Sequence, residues 1–94
     1  MTNLDRQLVV DALGAILDDL ADIEHERWSH WQRYMHDHGI RQADGSLLIP
    51  KQFVDRWDVQ MNTTYEALSE QEKESDREQV RKYLPLIANT ISNL

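Results

Sequence analysis

The feature that most constrains this chain is an apolar stripe at helical spacing. Leu13, Ile16, Leu17 and Leu20 recur at steps of three and four, the period of one face of an α-helix. The stripe carries on through Trp28, Trp31 and Met35 and stops at Gly39. It predicts a helix over 4–38, opened by a cap at Thr2 or Asn3, with Asp5 at the capping-box distance from Thr2. A helix of that length is unusual in a small domain, so a kink or break is expected. Gly14 and the polar run Asp18–Glu26 are the candidate places.

Beyond Gly39 the punctuation changes. Residues 39–50 read as a loop, with Asp44 and Gly45 as its turn and Leu47, Leu48 and Ile49 as a short segment packing inward. Pro50 fits the first turn of a new helix, which places Phe53, Val54, Trp57 and Met61 on one face and ends at Asn62, Thr63 and Thr64. Ser69 and Glu72 form a capping box. The last helix follows with Val80, Tyr83, Leu84, Ile87 and Ile91 on its stripe, and Pro85 inside it is expected to kink or end it. The sum is an all-α single domain over 1–94: a small helical bundle with a long, kinked N-terminal helix, a loop with little or no strand, and two further helices.

Composition narrows the function. The chain has 94 residues and no cysteine, which removes disulfides, thiolate nucleophiles and Cys-based zinc sites and fits a reducing, cytoplasmic setting. The N-terminal residues lack the basic-then-apolar layout of a signal peptide, and no apolar run is long enough to span a bilayer. A chain this short buries only about two thirds of its unfolded surface alone. The extra apolar residues Leu8, Val9, Val10 and Leu13 are therefore expected to pack on a symmetry mate, making a homo-oligomer. The formal charge is −7, which repels nucleic-acid polymers. It is uneven: −6 over residues 1–26, +1 over 27–58 and −2 over 59–94. The middle third is thus the place for a small anion.

Charged residues also stand where the stripes call for core. The first stripe passes through Glu24 and Arg27 on its way to Trp28; the last, traced backward from Val80, passes through Asp76 and Glu72. Buried charges must be paired, so Arg27 is expected to hold Asp76 or Glu72 across two packed helices, as a planar guanidinium can do with two hydrogen bonds. Either the pair fixes register or Arg27 lines a pocket and meets a ligand anion. The aromatic set Trp28, Trp31, Tyr34, Phe53, Trp57, Tyr65 and Tyr83 is large. Trp57, Tyr34 and Tyr65 have the basic neighbours Arg56, Arg33 and Lys51, a combination that suits a flat base carrying a phosphate.

Catalytic arrangements are thin. His25, Glu26 and His30 miss the HExxH zinc spacing by one residue. Asp18, Asp22 and Glu26, and likewise Glu70, Glu74 and Glu78, make acidic ridges at i+4. Two such ridges could hold Mg²⁺ for nucleotide pyrophosphate hydrolysis, but both lie beside the apolar stripes, as solvated faces do. With three glycines and no nucleophile–base pattern, neither a phosphate loop nor covalent catalysis is indicated.

Two segments resemble a known family. His25-Glu26-Arg27-Trp28, and Tyr65-Glu66-Ala67-Leu68-Ser69-Glu70-Gln71-Glu72-Lys73-Glu74-Ser75-Asp76-Arg77, are similar to the RyR domain, a small helical repeat named for ryanodine receptors and also found in bacterial and phage proteins. The match covers about residues 20–88. Where the family has a Gly-Trp-x-Tyr-Gly loop, this chain runs from Gly39 to Pro50 and on to Trp57. The resemblance implies a non-enzymatic module without a cofactor. It implies a nucleotide-derived ligand, of the cyclic-nucleotide or ADP-ribose type, which a phage copy would sequester in the host cytoplasm as an anti-defence protein. The pocket it implies uses Arg27, Trp28, Tyr65 and Asp76, with Trp31 and Trp57 as walls. The other reading is a helical accessory protein that binds other chains and no ligand.

Overall fold

Asp5 opens the first helix: its carboxylate accepts from the Gln7 amide at 2.9 Å, satisfying one of the amides that a helix start leaves bare. The computed structural model describes residues 5–94. The expected caps Thr2 and Asn3 lie outside the described residues. Helix α1 is Arg6–Ala15, and α2 is Leu17–His38. The anticipated break is present but falls at Ile16, between the two places expected for it. There the Ile16 amide turns back to Leu13 O at 3.2 Å, and Ile16 O then receives Leu20 N at 3.0 Å to start α2. Asp18 and Asp19 in the first turn of α2 complement its dipole.

Gly39 ends α2, and a hairpin follows. Strand β1 (Ile40–Arg41) pairs antiparallel with β2 (Leu47–Leu48), Ile40 facing Leu48. Its turn needs a left-handed residue, supplied by Gly45 at φ 89°. Asp44 accepts from both the amide and the hydroxyl of Ser46, at 3.0 and 2.6 Å. Leu47 and Ile49 are half-buried while Leu48 points to solvent, so the segment packs through alternate side chains, as a strand period requires.

Pro50 caps α3 (Lys51–Met61), which Asn62 ends. A 3₁₀ turn at Tyr65–Ala67 leads to α4 (Glu70–Arg81). The capping box is formed: the Glu72 amide donates to Ser69 Oγ at 3.2 Å, and the Ser69 amide donates to Glu72 Oε1 at 3.3 Å. The final segment is two helices rather than one. Pro85 has no amide and its ring collides with the carbonyl four residues back, so α4 stops at Arg81. Helix α5 (Leu84–Ser92) restarts with the proline in its first turn, where the missing amide costs nothing. Three helices, not two, thus follow the hairpin.

The fold is all-α apart from this small sheet. It divides into two units, residues 5–27 with 75–94 and residues 28–74. In the first, α1 packs on α5, with Val9, Ala12, Leu13, Leu86, Ile87 and Ile91 half-buried. In the second, rings of α2 and α3 meet. Among the described residues none reaches full burial, and no helix is long and apolar enough to cross a membrane.

Candidate functional site

Spacing within α2 places Trp31, Tyr34, Met35 and His38 on one side, and spacing within α3 does the same for Phe53, Trp57, Gln60 and Met61. These two faces build an aromatic cluster. Trp31 meets Tyr34 edge to face at 5.6 Å between centroids, and Tyr34 lies 6.3 Å from Trp57. Phe53 stacks on Trp57 at 5.7 Å, and His38 bridges, 4.1 Å from Tyr34 and edge-on to Phe53 at 5.0 Å. His38 Nδ1 lies 2.7 Å from Tyr34 O. A carbonyl only accepts, so this nitrogen carries the proton and the ring is fixed.

Beside the cluster a cleft of about 300 Å³ opens, lined by Trp31, Gln32, Tyr34, Met35, Trp57, Gln60 and Met61. Its walls are aromatic and thioether, its lining residues carry two primary amides, one phenol hydroxyl and two indole N–H groups, and none of the seven is charged. Trp31 is 41 % exposed and Met61 75 %, so the cleft is an open one with a mobile-chained rim residue.

Of the six residues expected to form a pocket, Trp31 and Trp57 are brought together here. The other four are not among the lining residues. Arg27 is exposed and pairs with Glu24 at 2.6 Å, three residues back on its own helix. The expected partnership with Asp76 is not formed, and Asp76 is exposed; Glu72, the other expected partner, serves the cap at Ser69. Without a buried layer at these positions, nothing forces the charges to neutralise one another across helices. Trp28 is 58 % exposed. Tyr65 is half open, with Lys73 Nζ 5.7 Å from its ring centre. Lys51, expected beside Tyr65, is instead bound to Asp55 at 2.5 Å.

Two contacts escaped the sequence reading. The first is the cleft's Gln60, which follows Trp57 at the helical step, a signal that was available; Met61 stands on the α3 face that the sequence predicts. The second is the hydroxyl of Tyr83, which donates to Glu24 Oε2, a link across 59 positions that no local pattern announces. Glu24 thus accepts from two donors. The Tyr83 hydroxyl, and then the Arg27 guanidinium, hold its carboxyl below the ordinary range. The same hydrogen bond raises the Tyr83 phenol.

Among the described residues no three His, Asp or Glu side chains converge as a metal site would require. In the second acidic ridge Glu70 lies 3.8 Å from Lys73. In comparisons with protein-family models, curated proteins and solved structures, nothing matches this chain. The likeness to the RyR domain rests on the motifs quoted above.

Proposed function

We propose that this chain is a non-enzymatic helical module that works by association, and that it assembles with a second copy of itself through the α1–α5 pair. The observation that carries this reading is large apolar side chains left open around that pair. Leu8 and Val10 flank the packed face of α1, and Leu84 opens α5, at 49, 43 and 52 % exposed. Such apolar surface is favourable to remove from water, at about 25 cal/mol per Å². Charge favours a copy of the same chain as the occupant. A two-fold interface sets each surface against itself and doubles its charge. Helix α1 holds one Arg and one Asp, and α5 holds no charged residue. The pair is therefore neutral in a chain of −7, and self-contact there meets no like-charge repulsion.

Sedimentation velocity at about 10 µM, a concentration that populates complexes of micromolar Kd, tests the reading. A dimer is expected, and Leu84→Glu should return it to monomer with its helical content kept. A wild-type monomer at that concentration refutes the assembly.

A second reading, recognition of a small ligand, is favoured by the cleft beside Trp31 and Trp57. It supports the ligand-binding side of the RyR resemblance, while the charged end of a nucleotide finds no cation among the residues that line the cleft.

A further inference from the structure

The cleft of residues 28–74 has a chemical character specific enough to name what it takes. We propose that it binds an uncharged, flat nitrogen heterocycle with an amide-type edge, one ring system in size; this deepens the small-ligand reading and rests on it.

Three properties of the lining lead there. Trp31, Tyr34 and Trp57 present ring faces and edges, which favour offset or edge-on contact with another flat ring. Met61 adds a polarisable, adaptable thioether at the rim. Gln32 and Gln60, both half-buried, line the cleft, and each side chain ends in a primary amide. A primary amide offers a donor and an acceptor side by side, and its complement is a ring edge carrying an acceptor and a donor in the reverse order, as a lactam does. The third property is charge. The lining offers an anionic ligand no cation and a cationic one no carboxylate, so a charged ligand gains no counter-charge from it. The volume, about 300 Å³, is at the lower end of small-ligand clefts, roughly 300–1,000 Å³. That suits a single fused ring rather than an extended molecule.

The three tryptophans supply the readout. Trp31 and Trp57 line the cleft and Trp28 does not, so the indole N–H resonances of the full chain report both binding and its location. Three probes separate the terms of the proposal: quinazolin-4-one is flat and neutral with a lactam edge, quinoline is flat and neutral without one, and quinoline-2-carboxylate is flat and anionic. Quinazolin-4-one is expected to move the Trp31 and Trp57 signals with a Kd on the order of 1 mM or tighter, as a ligand of about eleven heavy atoms allows. The Trp28 signal should stay still. Quinoline should bind about fivefold more weakly, the worth of one net hydrogen bond, and quinoline-2-carboxylate more weakly again. In Gln60→Leu, the preference for the lactam over quinoline should vanish while the indole spectrum of the free protein persists. If quinoline or its carboxylate binds as well as the lactam, or Gln60→Leu keeps the preference, the cleft remains a site and the ligand class is wrong. If no probe moves Trp31 or Trp57 at about 5 mM, where a 1 mM Kd fills most sites, or if Trp28 moves equally, the small-ligand reading of the cleft fails with it.

Discussion

Glu24 stands at a meeting of three side chains, and its consequences are local and titratable. The carboxylate accepts from Tyr83 and from Arg27, so it binds protons less readily folded than unfolded. A carboxyl with a lowered folded pKa gives stability that is present above its unfolded value and lost as pH falls through the folded one. Tyr83 shifts the other way. Its raised phenol gives stability that is complete below its unfolded value and lost as pH rises through the folded one. The melting-temperature difference between wild type and Tyr83→Phe should therefore form a plateau, roughly from pH 5 to pH 9, and shrink on both sides. A difference that is flat into acid would show that the Glu24 hydrogen bond does not hold. Asp76 gives the opposite kind of test. Exposed and outside any ion pair with Arg27, it should tolerate alanine within about 0.5 kcal/mol, measured by denaturant unfolding. A buried pair at that position would have cost about 3–5 kcal/mol.

Elements in this chain are delimited by their ends more than by their middles. Helix α4 carries Glu70, Glu72, Glu74, Asp76 and Glu78 and depends on its start being well made. Ser69→Ala removes the acceptor of the Glu72 amide and should lower stability by about 1 kcal/mol, readable as a several-degree fall in Tm. An unchanged Tm would mean that the α4 start contributes nothing to the cooperative fold. The other ends follow the same logic. Pro85 divides α4 from α5 because of what a proline cannot donate. Gly45 closes the hairpin because the turn requires φ 89°, a region that other residues enter only with strain. Ile16, by contrast, carries no breaker chemistry of its own, and the local hydrogen bonding that turns back at Leu13 describes the break without a sequence cause.

On the scale of the whole molecule, the surface left open on each unit is the dominant fact. Leu17 at the start of α2 is 66 % exposed and Val59 on α3 is 69 %, alongside the rim of the α1–α5 pair. A fold whose stability includes association should melt at a temperature that rises with protein concentration. Between about 1 and 100 µM, a hundredfold span worth about 2.7 kcal/mol of mass action, wild type is expected to gain several degrees and Leu84→Glu to stay level. Equal slopes for both would place any association away from α5. A ligand effect would be distinguishable, since saturating quinazolin-4-one should raise Tm in both proteins alike.

The helical class, the capping box at Ser69, the turn at Asp44 and Gly45, and the stop at Pro85 are all legible in the residues themselves. Each of these is decided by a few neighbouring residues: a side chain that can reach an amide three positions on, a glycine that tolerates positive φ, a proline without a donor. The aromatic faces of α2 and α3 were legible too, since residues three and four apart share a helix side. What tertiary structure alone decided is which of those faces meet and which charges stay in water. Trp31 and Trp57 share a cleft, whereas Arg27 takes the carboxylate on its own helix and leaves Asp76 to solvent. The spacing of the stripe predicts core, and a core would force that pair. No layer buries those positions, so water and the near neighbour Glu24 satisfy the charge at less cost than a partner across helices. Burial is a property of what packs above a residue, and periodicity along one strand of sequence does not contain it.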